Sequence, residues 1–250
     1  MKKSLLNSYC RKLGFEVHGT GYMQSLLKGS FNDDAFARQL ELFGENISVI
    51  FDIGANRGDI VARYIEMFPA AVIYAFEPFP DSFEILEERF KGNNSVHCFK
   101  LAIADEEGMK TFYVNRNVDT NSLLKPKHSG LSSDKQVENL AIVNVASTTL
   151  NKFCTENNIA HIDILKMDIQ GGELAALKGA AALLQQKRIQ NIYSETYFIQ
   201  QYESQPLFHD ISKFLYGYEF SLQDIYSPIY GKGHLAWADV IFTLKNKAEQ

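Results

Sequence analysis

Acidic residues stand at the ends of several apolar runs in this chain. Asp52 and Glu77 each follow an apolar, β-branched run, and Asp168 and Glu195 end two further runs. Carboxylates can bind ribose hydroxyls, accept a proton from a reacting group or coordinate a hard divalent cation. Because ligands collect at the carboxyl ends of parallel strands, we expect these four side chains to surround one crevice.

A turn of small residues follows Asp52 and leads into a helix. It reads Gly54-Ala55-Asn56-Arg57-Gly58, and apolar residues then recur at helical spacing from residue 59 to 68. Gly54 can adopt backbone angles closed to other residues, and Gly58 lets the helix start lie close to the strand or to a ligand. The pattern therefore predicts a strand, a tight turn and a helix, with a ligand at the turn.

Two features indicate the kind of ligand. Glu77-Pro78 lies roughly twenty residues beyond the turn, the offset at which an acidic side chain reaches the hydroxyls of a bound ribose. The dinucleotide fingerprint G-x-G-x-x-G is missing, and so is a phosphate loop ending in Gly-Lys-Ser/Thr. A nucleoside without a pyrophosphate therefore fits better, and Asp52 suits a cationic group such as the amino end of S-adenosylmethionine.

Asp168 and Glu195 are expected to converge at one point of the crevice. They end the predicted strands 162–168 and 189–195, and neighbouring strands of an ordered sheet place their ends side by side. Such a pair can act as a base toward an alcohol, or hold a divalent cation that lowers the pKa of the hydroxyl. Together with Asp239 the pair forms an oxygen-rich set that suits Mg²⁺ or Mn²⁺. A base-only mechanism, or carboxylates that only bind acceptor hydroxyls, stays open.

The whole composition fits one α/β domain with an uncharged partner. The chain has 250 residues, and its net charge of −5 argues against a nucleic-acid or anionic-membrane surface. Three widely spaced cysteines, without metal-ligand spacing, favour a reducing compartment over a disulfide framework. No apolar run is long enough for a signal peptide or a membrane span, so we expect a cytoplasmic protein; a homo-oligomer is compatible with the sequence.

The motifs resemble those of a known family. The segments 52–58 and 76–78 look like the first two motifs of class I S-adenosylmethionine-dependent methyltransferases. Farther on, Leu165-Lys166-Met167-Asp168-Ile169-Gln170-Gly171-Gly172-Glu173, with 177–180 behind it, resembles the FkbM family within that class. The resemblance runs from about residue 47 to the C-terminus. One departure is that the family usually has Glu where this chain has Gln170.

The resemblance implies a Rossmann-like, doubly wound and mostly parallel seven-stranded sheet with helices on both faces. It also implies O-methyl transfer from S-adenosylmethionine to a hydroxyl of a saccharide or secondary metabolite. In similar methyltransferases a polar residue beyond the third strand meets the adenine amino group, which makes Asp105 a candidate. The expected cofactor-binding residues are Asp52, Gly54, Asn56, Gly58, Glu77, Pro78, Asp105 and Asp168.

Two regions are expected outside the core of this fold. Residues 1–46 form an N-terminal helical extension or lid, and residues 47–250 form the methyltransferase domain. Within that domain, the predicted strands 111–114 and 141–145 flank a polar flap that carries Asn121-Ser122-Leu123, a block also found in FkbM relatives. His128 in this flap is a candidate catalytic base beside Asp168 and Glu195.

Two other classes of function stay open. A non-catalytic adenosyl-binding module would retain the cofactor pocket without turnover, and the Gln170 departure is compatible with it. A nicotinamide-dependent oxidoreductase is disfavoured by the missing G-x-G-x-x-G fingerprint.

Overall fold

The computed structural model describes residues 34–44, 46–127 and 137–245, which form a large sheet, a small sheet and the helices around them. The strands in chain order are β1 (Val49–Ile53), β2 (Val72–Phe76), β3 (Val96–Phe99), β4 (Ala102–Ile103), β5 (Gly108–Asn115), β6 (Asn139–Thr148), β7 (Ile162–Met167), β8 (Ile189–Tyr197), β9 (Phe220–Gly231) and β10 (His234–Leu244). The helices are α1 (Ala35–Phe43), α2 (Asp59–Met67), α3 (Pro80–Arg89), α4 (Leu150–Glu156), α5 (Glu173–Lys178), α6 (Ala181–Gln185) and α7 (Phe208–Tyr216).

The large sheet confirms the predicted doubly wound architecture. Its seven strands lie in the order β3-β2-β1-β7-β8-β10-β9, and β10 runs antiparallel to both of its neighbours while the other pairs are parallel. The chain first builds outward from β1 to β3 and later returns to the other side of β1 with β7. The boundary between β1 and β7 is therefore the point where the strand order reverses, where such sheets bind their ligands.

Apolar side chains cover both faces of this sheet. On one face, α1, α2 and α3 pack against residues such as Ile50 and Ile164. On the other, α4 to α7 pack against residues such as Phe51 and Leu165. Because successive strand residues point to opposite faces, the continuous apolar runs of β1 and β7 supply both cores at once.

The N-terminal helix α1 belongs to the first of these cores. Phe36 packs against Tyr64 and Tyr193, and Asp34 caps the helix by accepting the Phe36 N–H at 2.9 Å. Arg63 binds the same Asp34 carboxylate at 2.7 Å and lies over the Phe36 ring. The rest of the predicted extension, residues 1–33, lies outside the described residues.

A separate three-stranded sheet, ordered β4-β6-β5, carries the predicted flap strands. We use the name strap for residues 117–124, which follow β5. The strap contains a 3₁₀ turn at Val118–Thr120 and is tied back to β5 by a bridge between Ser122 and Tyr113. It occupies the first part of the predicted flap, and it lies over the carboxyl edge of the large sheet.

Two elements differ from what their sequences predict. The apolar run 96–103 predicts one strand, but it is broken, because Leu101 N–H donates to the Phe99 carbonyl in a tight turn that sends β4 into the small sheet. The sequence also predicts strands at 218–222 and 239–244 with a loop between them, but that segment is instead part of the hairpin of β9 and β10. Lys232 and Gly233 both have positive φ, 51° and 81°, as a two-residue type I′ turn requires.

Within the part of the chain that the structure describes, no helix is both long enough and apolar enough to cross a membrane.

Candidate functional site

A cavity of about 350 Å³ opens at the carboxyl edge of the sheet, between β1 and β7. Its floor is formed by the turn after β1 and by the ends of β2 and β7, and its cover by the strap. The volume falls within the range of about 300–1,000 Å³ that is usual for small-molecule sites. The predicted cofactor residues that line it are Gly54, Asn56, Glu77, Pro78 and Asp168.

Gly54 holds the turn close to the end of β7. Its φ is +78°, and a Cβ placed on it would lie 1.9 Å from the carbonyl oxygen of Asp168. The N–H groups of Gly54 and Ala55 both donate to the Phe76 carbonyl, at 3.0 and 2.9 Å. The turn is therefore fixed against β2 and β7, and a side chain at Gly54 would push these segments apart.

Gly58 serves packing rather than ligand approach. A Cβ at this position would lie 2.3 Å from the ring of Phe90, and Gly58 is not part of the cavity wall. Its small size lets the start of α2 lie against the end of α3. The predicted close approach at Gly58 is therefore made to a helix, and the structure does not bring this residue to the cavity.

Glu77 presents a buried carboxylate to the cavity. Its two oxygens accept N–H groups from the backbone, Oε2 from Asn56 at 2.9 Å and Oε1 from Phe79 at 2.8 Å. Burial raises the pKa of Glu77 to about 7, although these two N–H groups favour the charged form. The carboxylate is thus held rigidly at the end of β2, in the position predicted for a ribose ligand.

Several side-chain hydrogen bonds hold the strap over the cavity. Asn56 Nδ2 donates to Asp119 Oδ1 at 2.8 Å, and Ser122 Oγ donates to the Gln170 carbonyl at 2.8 Å. Between these two bonds, the Thr120 carbonyl lies 2.8 Å from the Tyr202 hydroxyl. Asn121 and Leu123 line the cavity, so the block Asn121-Ser122-Leu123 forms part of its cover.

Asp52 does not face the cavity, which corrects its predicted contact with the amino end of the cofactor. Its carboxylate is fully buried and lies 2.8 Å from the ammonium group of Lys166, its direct neighbour on β7. Lys166 also donates to the Gly54 carbonyl at 3.1 Å, and it does line the cavity. Burial acts to lower the pKa of Lys166, but the carboxylates of Asp52 and Asp168 raise it overall.

Gln170 bridges the carboxylates of Asp168 and Glu195. The Gln170 amide nitrogen donates to one oxygen of each carboxylate, in both cases at 2.8 Å. Its amide oxygen accepts the Tyr197 hydroxyl at 2.7 Å and lies 3.0 Å from the Tyr202 hydroxyl, which is also 2.8 Å from the Thr120 carbonyl. The Tyr197 donor orients the amide with its nitrogen toward the carboxylates.

The proton inventory of this network indicates that Glu195 is neutral. The Tyr197 hydroxyl has one proton but lies 2.7 Å from both Gln170 Oε1 and Glu195 Oε2, so the second contact needs a proton from Glu195. Burial and the adjacent charge of Asp168 raise the pKa of Glu195 well above its usual value. Asp168 lines the cavity whereas Glu195 lies behind Gln170. Asp168 is therefore the carboxylate that a ligand can reach.

The predicted metal set of Asp168, Glu195 and Asp239 is not formed. Asp239 accepts the Tyr193 hydroxyl at 3.0 Å, and the other two carboxylates bind Gln170. Among residues 34–44, 46–127 and 137–245, no group of three or more His, Cys, Asp or Glu side chains is arranged to hold a metal ion.

Two further predicted residues do not reach the cavity. Asp105 lies beside a second cavity, where Lys110 approaches its carboxylate at 3.5 Å. Leu101, Ala102 and Ile103 line the main cavity instead, because the chain turns after β3. His128, the predicted base, lies outside the described residues, so its role stays a prediction.

Sequence reasoning missed Lys166 and the hub formed by Gln170. A lysine inside an otherwise apolar strand was the available signal for Lys166, since an unpaired charge is not buried there. Gln170 stood out only as a departure from a family pattern. Its backbone φ of 55° is not visible in the sequence. The two tyrosines that contact its amide, Tyr197 and Tyr202, lie 27 and 32 residues farther along the chain.

Comparisons with known proteins place this geometry in a family. The model of the methyltransferase FkbM domain matches residues 52–222. The 2-O-methyltransferase NoeI of Sinorhizobium fredii is 28% identical over 163 residues, which cover 63% of this chain and 66% of that protein. Methyltransferase sdnD of Sordaria araneosa is 26% identical over 153 residues, which cover 52% of this chain and 59% of that protein. The chain thus spans about three fifths to two thirds of the length of these relatives.

Among solved structures, magnesium protoporphyrin IX methyltransferase from Synechocystis PCC 6803 gives a TM-score of 0.49 at 10% identity, over 97% of each chain. The family model covers the turn after β1, the Glu77 strand end and the Asp168–Gln170 network together. The chain therefore belongs to the FkbM family of S-adenosylmethionine-dependent methyltransferases.

Proposed function

We propose that this chain transfers a methyl group from S-adenosylmethionine to a hydroxyl group of a saccharide or secondary metabolite. The observation that carries the proposal is that Glu77 and Asp168 line one cavity at the reversal point of the sheet. Transfer of the methyl group to an oxygen atom is supported by the name of one relative, a 2-O-methyltransferase. The net charge of −5 supports an uncharged acceptor.

The cavity offers polar groups that suit the adenosine part of such a cofactor. Within the described residues, Asn56 Oδ1 and Asn121 Nδ2 are buried without a hydrogen-bond partner, and both residues line the cavity. Buried polar atoms cost free energy unless they are paired, so this acceptor and this donor favour a polar ligand. Glu77 would hold the ribose hydroxyls, and Ala102 and Ile103 would border the adenine.

Asp168 is the base in this proposal. When bound, S-adenosylmethionine supplies a methyl group on a sulfonium, which is already an activated leaving group, so the protein must mainly align the acceptor and remove its proton. Gln170 holds Asp168 in place through the 2.8 Å hydrogen bond to Oδ1. Asp168 lines the cavity, so its carboxylate is placed to accept the proton of the hydroxyl.

The hydrogen bonds of Gln170 favour a base mechanism over the metal-assisted one. A cation bound between Asp168 and Glu195 would have to displace the amide nitrogen, which lies 2.8 Å from both carboxylates. The residue type at this position also supports a second candidate, an adenosyl-binding module without turnover, because Gln170 stands where the family usually has Glu.

The proposal is tested by calorimetric titration with S-adenosylhomocysteine, with NADH as the comparator, in the presence and absence of Mn²⁺. We expect micromolar binding of S-adenosylhomocysteine alone, unchanged by Mn²⁺. Glu77→Ala should weaken binding by about 1–3 kcal/mol, since it removes charge-assisted hydrogen bonds to the ribose.

Glu66→Ala, which removes an exposed carboxylate from α2, is the matched control and should leave the affinity unchanged. Unchanged affinity in a folded Glu77→Ala variant would place the pocket elsewhere. Tight binding without methyl transfer to any of a panel of hydroxylated acceptors would favour the non-catalytic module.

A further inference from the structure

Lys166 presents a buried positive charge to the main cavity. It belongs to β7, its side chain is 6% exposed, and it lines the cavity although its neighbour Asp52 does not. An ammonium group is rarely buried unless it has partners of opposite charge. The ion pair with Asp52 explains why Lys166 can be buried, but it does not explain why Lys166 lines the cavity.

The hydrogen-bond inventory of Lys166 is incomplete. An ammonium group has three N–H donors. Among the described residues, Lys166 Nζ binds the Asp52 carboxylate at 2.8 Å and the Gly54 carbonyl at 3.1 Å. One donor therefore remains for a group in the cavity, and a negatively charged oxygen is its strongest partner.

The position of Lys166 also defines which part of a ligand it would meet. The Gly54 carbonyl ties it to the first residue of the turn after β1, whereas the Glu77 carboxylate binds the N–H of Asn56 farther along that turn. If Glu77 holds the ribose, the group at Lys166 belongs to a part of the ligand beyond the ribose.

We propose that Lys166 binds the α-carboxylate of the methionine part of the cofactor, an inference that rests on the proposed function. The sequence predicts that the negative charge of Asp52 meets the cationic amino group of the cofactor. In this proposal the positive charge of Lys166 instead meets the negative carboxylate. Asp52 balances the charge of Lys166 from behind, and Lys166 makes the contact with the ligand.

The experiment compares two ligands in three proteins. S-adenosylhomocysteine carries the carboxylate, and its decarboxylated analogue keeps the adenosine, the thioether and the amine. Both are titrated calorimetrically into the unaltered protein, Lys166→Met and the control Lys110→Met, which removes a lysine beside the second cavity. We expect Lys166→Met to weaken S-adenosylhomocysteine about 10- to 100-fold and the analogue by less than about twofold. Lys110→Met should change neither affinity.

An equal loss for both ligands would show that Lys166 only supports the turn, and no loss for S-adenosylhomocysteine would also overturn the inference. Because Lys166→Met leaves Asp52 as an unpaired buried carboxylate, the titrations are repeated with the uncharged double variant Asp52→Asn/Lys166→Met. If neither variant folds, the unaltered protein decides, since equal affinities for the two ligands contradict a contact with the carboxylate. Failure of the unaltered protein to bind either ligand would instead contradict the proposed function.

Discussion

At the scale of single residues, the raised pKa of Glu77 makes the proposed cofactor binding depend on pH. Its carboxylate is buried but lines the cavity, and burial raises its pKa to about 7. Because this folded-state pKa is higher than the usual value of 4.5, protonation of Glu77 adds to the free energy of unfolding, and the contribution is complete below that usual value. The contribution is lost as the pH rises through about 7.

We predict that the affinity for S-adenosylhomocysteine rises between pH 6 and 8. Ribose hydroxyls donate to the ionised carboxylate, so binding lowers the pKa of Glu77 and releases a proton below pH 7. The affinity should increase by at most about tenfold per pH unit in that range and then level off. Titrations in two buffers with different ionisation enthalpies measure the proton release.

The control for this prediction is Glu77→Gln, which has no ionisable group and should give a flat pH profile. A flat profile for the unaltered protein would contradict a role for Glu77 at the ligand.

The sequence predicted several residues of the site and missed others for definable reasons. Glu77 and Asp168 were predicted because each ends an apolar strand, and strand ends define the cavity edge. Asp52 was assigned to the ligand because its neighbour across the sheet was not known. Lys166 stands directly opposite it on β7, and this pairing depends on strand register, which a single sequence does not give.

At the scale of elements, the strap is attached unequally at its two ends. Ser122 is 1% exposed, and its hydroxyl donates to the Gln170 carbonyl and accepts the Leu124 N–H. Asp119 is exposed, and its bond to Asn56 competes with water. The buried attachment therefore contributes more to stability than the exposed one.

We predict that Ser122→Ala lowers the free energy of unfolding by about 1–3 kcal/mol, because it leaves a buried carbonyl and a buried N–H without a partner. Asp119→Ala, the exposed counterpart, should change it by at most about 0.5 kcal/mol. Urea unfolding of both variants provides the measurement. Equal losses in the two variants would show that the strap is held mainly by other contacts.

Elements with a continuous apolar run were predictable, and those defined by a turn were not. β1, β2, β7 and β8 follow directly from runs that end in a carboxylate or glycine. Of the β9–β10 hairpin, the sequence predicts only the outer ends, at 218–222 and 239–244. The segment between them resembles a loop because it mixes aromatic residues with glycines and because Lys232-Gly233 is not one of the usual turn pairs. The break between β3 and β4 could not be predicted, because residues 96–103 contain no glycine or proline that would indicate a turn.

At the scale of the whole molecule, the two hydrophobic cores are not independent. β1 contributes Ile50 to one core and Phe51 to the other, and β7 does the same with Ile164 and Leu165. Unfolding one face therefore exposes the strands that support the other.

We predict one cooperative thermal transition for this chain, and we expect S-adenosylhomocysteine to move it as a whole. At a ligand concentration of about 100 times Kd, binding adds about 2.7 kcal/mol, which corresponds to an increase in Tm of roughly 5–10 °C for a chain of this size. Differential scanning calorimetry tests this. Two transitions, of which the ligand moves one, would show that the faces unfold separately.

The α/β class could be predicted from apolar strand runs that alternate with helical periodicity, whereas the seven-stranded, doubly wound topology was implied by the resemblance to the FkbM family. The adjacency of Asp168 and Glu195 followed from it. The hydrogen bonds of Gln170 could not be predicted. Its partners are tyrosines in β8 and in the segment after it, and these contacts depend on side-chain geometry.

The strap also links the cover of the cavity to the network behind it. Directly beside the exposed bond at Asp119, the Thr120 carbonyl lies 2.8 Å from the Tyr202 hydroxyl, which in turn lies 3.0 Å from Gln170 Oε1. Opening the strap for cofactor exchange would therefore also release a contact of Gln170. The residues that cover the cofactor and the residue that orients Asp168 would then respond together to the presence of ligand.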